Sequence, residues 1–187
     1  MLPISLSLER VGTLSRATAG RRAAGIAAFA LLTAIGAFVR IPLPFTPVPI
    51  TLQTFFVLAA GIYLGGRDAA ASQGLYLGLG AAGLPMFAGG SGLAHLLGPT
   101  GGFLLAFPIA AWLVGRSLRP GDRLGRALIV LVSATGIVLA LGATWLALVL
   151  GVGPNQALAL AVLPFLPGAA LKIAAATALI VRPPIIR

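Results

Sequence analysis

The chain has 187 residues, of which 59% are hydrophobic and only 9% charged, where an ordinary soluble domain carries about 25% charged residues. So few polar side chains cannot coat a globule of 18.8 kDa with a mean hydropathy of +1.06, so the solvent is largely lipid and a soluble enzyme is excluded. The formal net charge of +10 reads as helix-end arginines that orient a membrane protein, with no nucleic acid expected, and the absence of Cys removes disulfides and thiolate chemistry.

Residues 1–22 hold Arg10, Arg16, Arg21 and Arg22 without an apolar run of spanning length, which predicts a cytoplasmic tail and no signal peptide. A first span follows over about Ala23 to Val39, where Ala24/Ala28 and Ala30/Ala34 have the small-xxx-small spacing of closely packed helices. It ends at Arg40 and Ile41-Pro42-Leu43-Pro44-Phe45-Thr46-Pro47-Val48-Pro49, whose prolines forbid helix. A second span is expected over Ile50 to Leu64, and a third runs to about Gly83 with Asp68 as its N-cap.

Leu84 to Gly102 is too rich in glycine for a helix yet carries no formal charge. Such backbone at membrane depth must be buried in protein or line a cavity, because lipid cannot satisfy its N–H and C=O groups. The fourth span covers about Phe103 to Leu118 and the fifth about Ala127 to Leu150, joined by a connection with Arg116, Arg119, Arg123 and Arg126. A last segment, Ala157 to Val181, is broken by Pro164-Phe165-Leu166-Pro167-Gly168.

The predicted fold is therefore an all-α polytopic membrane protein: one domain over 23–182 with six spans, the last discontinuous, and a C-terminal tail over 183–187. Six spans place eleven of the thirteen basic residues on one side, so both termini are expected in the cytoplasm. The proline loop, the glycine loop and the break before Lys172 then converge on the outer face.

Catalytic chemistry has little to work with. Glu9, Asp68 and Asp122, the three acids, fall at the cytoplasmic edge, so coupling through an intramembrane carboxylate is not expected. Gly98-Pro99-Thr100-Gly101-Gly102 lacks the lysine and spacing of a phosphate-binding loop, and one histidine, His95, supports neither a triad nor a metal cluster. His95 reads as structural, and the chain is not an enzyme.

Lys172 is the exception. An ammonium inside a helical segment costs about 2.5–3.5 kcal/mol on insertion scales, and here it follows a predicted helix start at Gly168 with no acid nearby. A lysine beside a helix N-terminus is an anion site. Phe45, Phe87, Phe103 and Phe165 would wall it for an apolar or heterocyclic body.

The proline loop continuing through Ile50-Thr51-Leu52-Gln53-Thr54-Phe55, Gly83-Leu84-Pro85-Met86-Phe87-Ala88-Gly89-Gly90-Ser91-Gly92, Gly98-Pro99-Thr100-Gly101-Gly102-Phe103, and Pro164-Phe165-Leu166-Pro167-Gly168 with Lys172 occur in this order. Together they resemble the BioY family, the biotin-binding membrane subunits of energy-coupling-factor transporters. The resemblance implies a six-helix capture protein of the bacterial cytoplasmic membrane with biotin as substrate and no cofactor of its own. It matches Lys172, Ser91 and Phe103 to family ligand positions, and the expected binding set is Lys172, Ser91, Gly90, Phe103, Thr46, Phe87 and Gly168, with Lys172 on the valerate carboxylate and the glycine loop with Ser91 on the ureido end. It also implies a transmembrane coupling subunit docked at Ala24 and Ala28, two ATPase subunits, and compatibility with a homo-oligomer. Ala169 stands where the family commonly has Asp. Another vitamin-sized anion on the same scaffold, a lipid enzyme using Ser91, His95 and Thr100, and a passive channel are the rival readings.

Overall fold

The structure, a computed structural model, describes residues 4–119 and 121–181, with side chains over 19–119 and 121–180. Helix α1 (Ile4–Phe38) is followed by a hairpin of β1 (Arg40–Leu43) and β2 (Thr46–Thr51), then α2 (Gln53–Leu64), α3 (Gly66–Ala81), the short α4 (Gly92–Leu96), α5 (Gly101–Ser117) and α6 (Leu124–Leu150). The chain ends in α7 (Pro154–Ala161), one 3-10 turn at Leu163–Phe165, and α8 (Leu166–Val181). Arg182, Arg187 and the tail 183–187 lie outside the described residues.

The fold turns the usual burial rule around. Leu148, Leu171 and Ile129 are 75%, 74% and 70% exposed, while Ala60, Ala69, Ala106, Ala110 and Ala111 are fully buried. Lipid tails are as apolar as leucine, so exposing leucine there costs nothing, and small residues instead let the helices approach closely. Central α5 packs on α2, α3 and α6, α1 covers α2 and α3, and α8 closes against α2 and α6.

Among the described residues, three stretches are long and apolar enough to cross a membrane: Ala19–Phe38, Leu124–Leu150 and Pro154–Ile180. The last contains the break expected at Pro164, and α7 and α8 lie on either side of it. Helices α2, α3 and α5 have 12, 16 and 17 residues, short of the roughly 20 that a bilayer needs. The second expected span loses Ile50 and Thr51 to β2. Helix α1 runs back to Ile4, so most of the predicted tail is helical.

Local chemistry accounts for the other departures from expectation. The N-cap of α3 is Gly65 at φ +77°, a left-handed position that favours glycine, not Asp68. Asp68 sits in the first turn and accepts two hydrogen bonds from Arg22, at 2.8 and 2.6 Å. The proline loop is an antiparallel hairpin pairing Arg40 with Thr51 and Ile41 with Ile50, since proline's fixed φ suits strand where it forbids helix. The glycine loop contains one five-residue helix, α4, and a bridge between Phe87 and Gly90. Helix α8 begins at Leu166, with Pro167 and Gly168 in its first turn, so Lys172 lies further into the helix than expected.

Polar contacts sort the ends of the bundle. Arg22 and Asp68 join the start of α3 to α1, Gly66 abuts Trp112 and Arg116 of α5, and Asp122 pairs with Arg126 at 3.7 Å. The hairpin, the glycine loop and the 3-10 turn occupy the other end. If small residues set the packing, Ala110→Leu should destabilise the protein by about 1–3 kcal/mol through overpacking. Leu148→Ala should leave the melting temperature in detergent nearly unchanged; equal shifts for the two would contradict the inside-out core.

Candidate functional site

At the hairpin end the helices leave a chamber between β2 and the start of α2, the glycine loop with α4, the start of α5, the middle of α6 and the start of α8. Its aromatic walls are Phe103 and Phe107 of α5 and Phe165 of the 3-10 turn, with Val138 and Leu139 from α6. Phe103 and Phe165 lie with ring centroids 5.8 Å apart. Phe103 keeps its place because α6 has Gly142 behind it: a Cβ there would collide with the ring. The same helix crossing puts Trp145 against Gly102, and the indole Nε1–H donates to Gly98 O at 2.9 Å, tying the glycine loop to α6.

Polar groups enter the chamber at two places. On one side Lys172 Nζ donates to Thr54 Oγ1 at 2.8 Å, bridging α8 and α2. Beside it Thr51 Oγ1 donates to Gln53 Oε1 at 3.0 Å, and Gln53 Nε2 donates to the buried Tyr76 hydroxyl. Gln53 is thus held from behind by α3, where Tyr76 packs edge-on against Phe87. Lys172 has no ion-pair partner among the described residues, whose salt bridges are Arg22–Asp68 and Arg126–Asp122. An ammonium with one hydroxyl acceptor retains donors for an anion.

Across the chamber stand His95 and Thr100, with Nε2 and Oγ1 3.4 Å apart. The imidazole is stacked on Phe87 at 5.5 Å and lies over Gly90, where a Cβ would strike Nδ1. Burial pushes the His95 pKa below its ordinary 6.5, since nothing acidic offsets the lost hydration.

Of the expected ligands, Lys172 and Phe103 line the chamber and the others do not. Ser91 is exposed at the start of α4, and Gly90 lies beneath His95, which faces the chamber in its place. Phe87 is buried as the platform for His95 and Tyr76. Thr46 faces a separate cavity under the hairpin, and a Cβ at Gly168 would meet Ile50 while its neighbour Ala169 meets the chamber. Phe45, 57% exposed, is no wall. Thr51, Gln53, Thr54 and Thr135 also line the chamber and carry no sequence signal, because uncharged side chains show no burial cost where a lone lysine does. In α1, Ala24 and Ala28 are exposed, and Ala30 and Ala34 are buried within the bundle.

These features define a helical membrane protein with an aromatic chamber at one end that can hold a small molecule bearing an anionic group. The BioY family profile matches residues 11–184, so the chain belongs to the BioY family. It is 44% identical over 158 residues to the "Probable biotin transporter BioY" of Pyrococcus horikoshii, covering 83% of this chain and 90% of that protein. It is 40% identical over 115 residues to the biotin transporter BioY of Thermotoga maritima, covering 61% and 67%. The fold matches the crystal structure of a biotin S-component of an ECF-type ABC transporter with a TM-score of 0.79 at 29% identity, over 88% of this chain and 91% of that one.

The single histidine offers a direct check on the chamber. An NMR titration should place the His95 pKa below 6.5. With the folded pKa lowered, the unfolded chain binds the extra proton, so His95 takes stability away as pH falls through 6.5 and leaves it intact above. A value at or above 6.5 would mean that the imidazole is hydrated rather than packed between Phe87 and the chamber.

Proposed function

We propose that the chain captures biotin in this chamber as the substrate-binding component of an energy-coupling-factor transporter. The carrying observation is Lys172, an ammonium set among apolar helices with Thr54 as its hydrogen-bond acceptor and no acid. Its remaining donors take the valerate carboxylate, and Phe103, Phe107 and Phe165 enclose the fused rings. The ureido end meets polar groups that flank the chamber, His95 and Thr100 on the glycine-loop side and Thr135 from α6, in place of Ser91 and Gly90. Ala169 leaves room beside Lys172 and adds no competing carboxylate.

In this reading six segments cross the cytoplasmic membrane: α1, α2, α3, α5, α6, and α7 with α8. The arginine-rich end lies in the cytoplasm by the positive-inside rule, and the chamber opens outward. The chamber holds no intramembrane acid to bind a coupling ion, which favours partner subunits as the source of energy. Exposed Ala24 and Ala28 on α1 give a transmembrane coupling subunit a surface for close approach.

Calorimetry of the purified chain tests this. Biotin should bind, and Lys172→Ala should weaken it by about 10- to 100-fold, the usual worth of a charge-assisted hydrogen bond. Biotin methyl ester should bind the parent weakly and show little further loss in the variant. Equal binding of acid and ester would remove the role given to Lys172, and failure of unlabelled biotin to compete with a labelled vitamin-sized anion would point to a different ligand.

The positioning of Phe103 gives a second test. Gly142→Leu should drive the ring into the chamber and lower biotin affinity at least tenfold while the protein stays monodisperse in detergent. Unchanged affinity would show that the aromatic wall does not touch the ligand.

A further inference from the structure

A second cavity lies beneath the hairpin, lined by Arg40, Pro42, Leu43, Thr46, Pro47, Pro49 and Ala88. It shares two walls, Pro49 and Ala88, with the chamber that holds Lys172. Arg40 is exposed, and its partner across the ladder is Thr51, itself a chamber residue. Paired residues of an antiparallel ladder project to the same face, so the guanidinium and the chamber threonine lie on one side of the hairpin.

The guanidinium is seated on the glycine loop. Gly89, at φ +95°, would bring a Cβ within 2.5 Å of Arg40 Nη1, so the bare backbone there is what lets the arginine lie against the loop. Arg22 and Arg126 are both paired with aspartates, but Arg40 has no carboxylate partner among the described residues. It is also the only charged side chain in this cavity. An exposed, held cation without a counter-ion, in a cavity that shares walls with the chamber of the half-buried Lys172, offers a negative group two successive contacts.

We propose that the outer cavity is an antechamber in which Arg40 makes the first contact with the substrate carboxylate before it passes between Pro49 and Ala88 to Lys172. The ligand class is a small monocarboxylate, and the assignment rests on the reading of the inner chamber given above. Arg40 acts on arrival, since an exposed charge attracts through water and is screened by salt. Lys172 acts on retention.

Stopped-flow binding of biotin to the full chain in detergent separates the two roles. Arg40→Gln should slow association about fivefold at low salt, with dissociation little changed, and the deficit should vanish at about 1 M salt, where the screening length falls to about 3 Å. Arg40→Lys should keep most of the rate. Association of biotin methyl ester, which lacks the charge, should be the same for parent and Arg40→Gln, which also shows that the hairpin is intact. If Arg40→Gln slows acid and ester alike, or leaves the salt dependence of the acid unchanged, the antechamber is overturned while biotin capture stands. If the parent chain does not bind biotin at all, the chamber reading fails, and the antechamber falls with it.

Discussion

Lipid supplies neither hydrogen bonds nor a hydrophobic force between helices, and every unusual feature of this chain answers that constraint. With little drive to hide leucine, the bundle is held by closeness, and its interior is rich in alanine packed around a few large side chains such as Tyr76, Leu131, Leu146 and Ile180. The same closeness positions the site. Gly142 and Gly102 let α5 and α6 cross so tightly that Phe103 and Trp145 each rest on the opposite backbone. One of those aromatics becomes a chamber wall and the other anchors the glycine loop.

The constraint also explains why irregular backbone is gathered at one end. The hairpin, the glycine loop and the 3-10 turn each leave peptide groups outside regular helix, and they cover one another around a common cavity. Within that ring Lys172 contributes what the apolar helices lack. Its link to Thr54 ties α8 to α2, and Gln53, held by Tyr76, extends a polar edge from the same turn. The chamber is therefore amphipathic in the same sense as its proposed occupant, with charge on one side and aromatic surface on the other.

The sequence carried the gross architecture because its signals were costly ones. Four prolines in the first loop, a glycine-rich stretch without charge and a lysine inside an apolar run each demand a structural answer, and each fell at the site or its rim. What stayed hidden depends on direction. Ser91 stands in extended backbone just before the five-residue helix that carries His95, and only the stacking of the imidazole on Phe87 fixes the histidine toward the chamber. The cap at Gly65 in place of Asp68 was obscured likewise, because an acid in a first turn suits either a cap or an ion pair, and Arg22 lies 46 residues away. Thr54 and Thr135 look like any polar residue in a helix until the facing elements are known.

The proline content of the hairpin carries a consequence for the company this molecule keeps. A two-stranded ladder has an unpaired margin on each side, and such margins invite strands from neighbouring chains. Here Pro42 in β1 and Pro47 and Pro49 in β2 lack the N–H that a third strand would need. The most β-like part of the chain is thereby made unable to template its own extension, so crowded copies have no route to sheet growth through it.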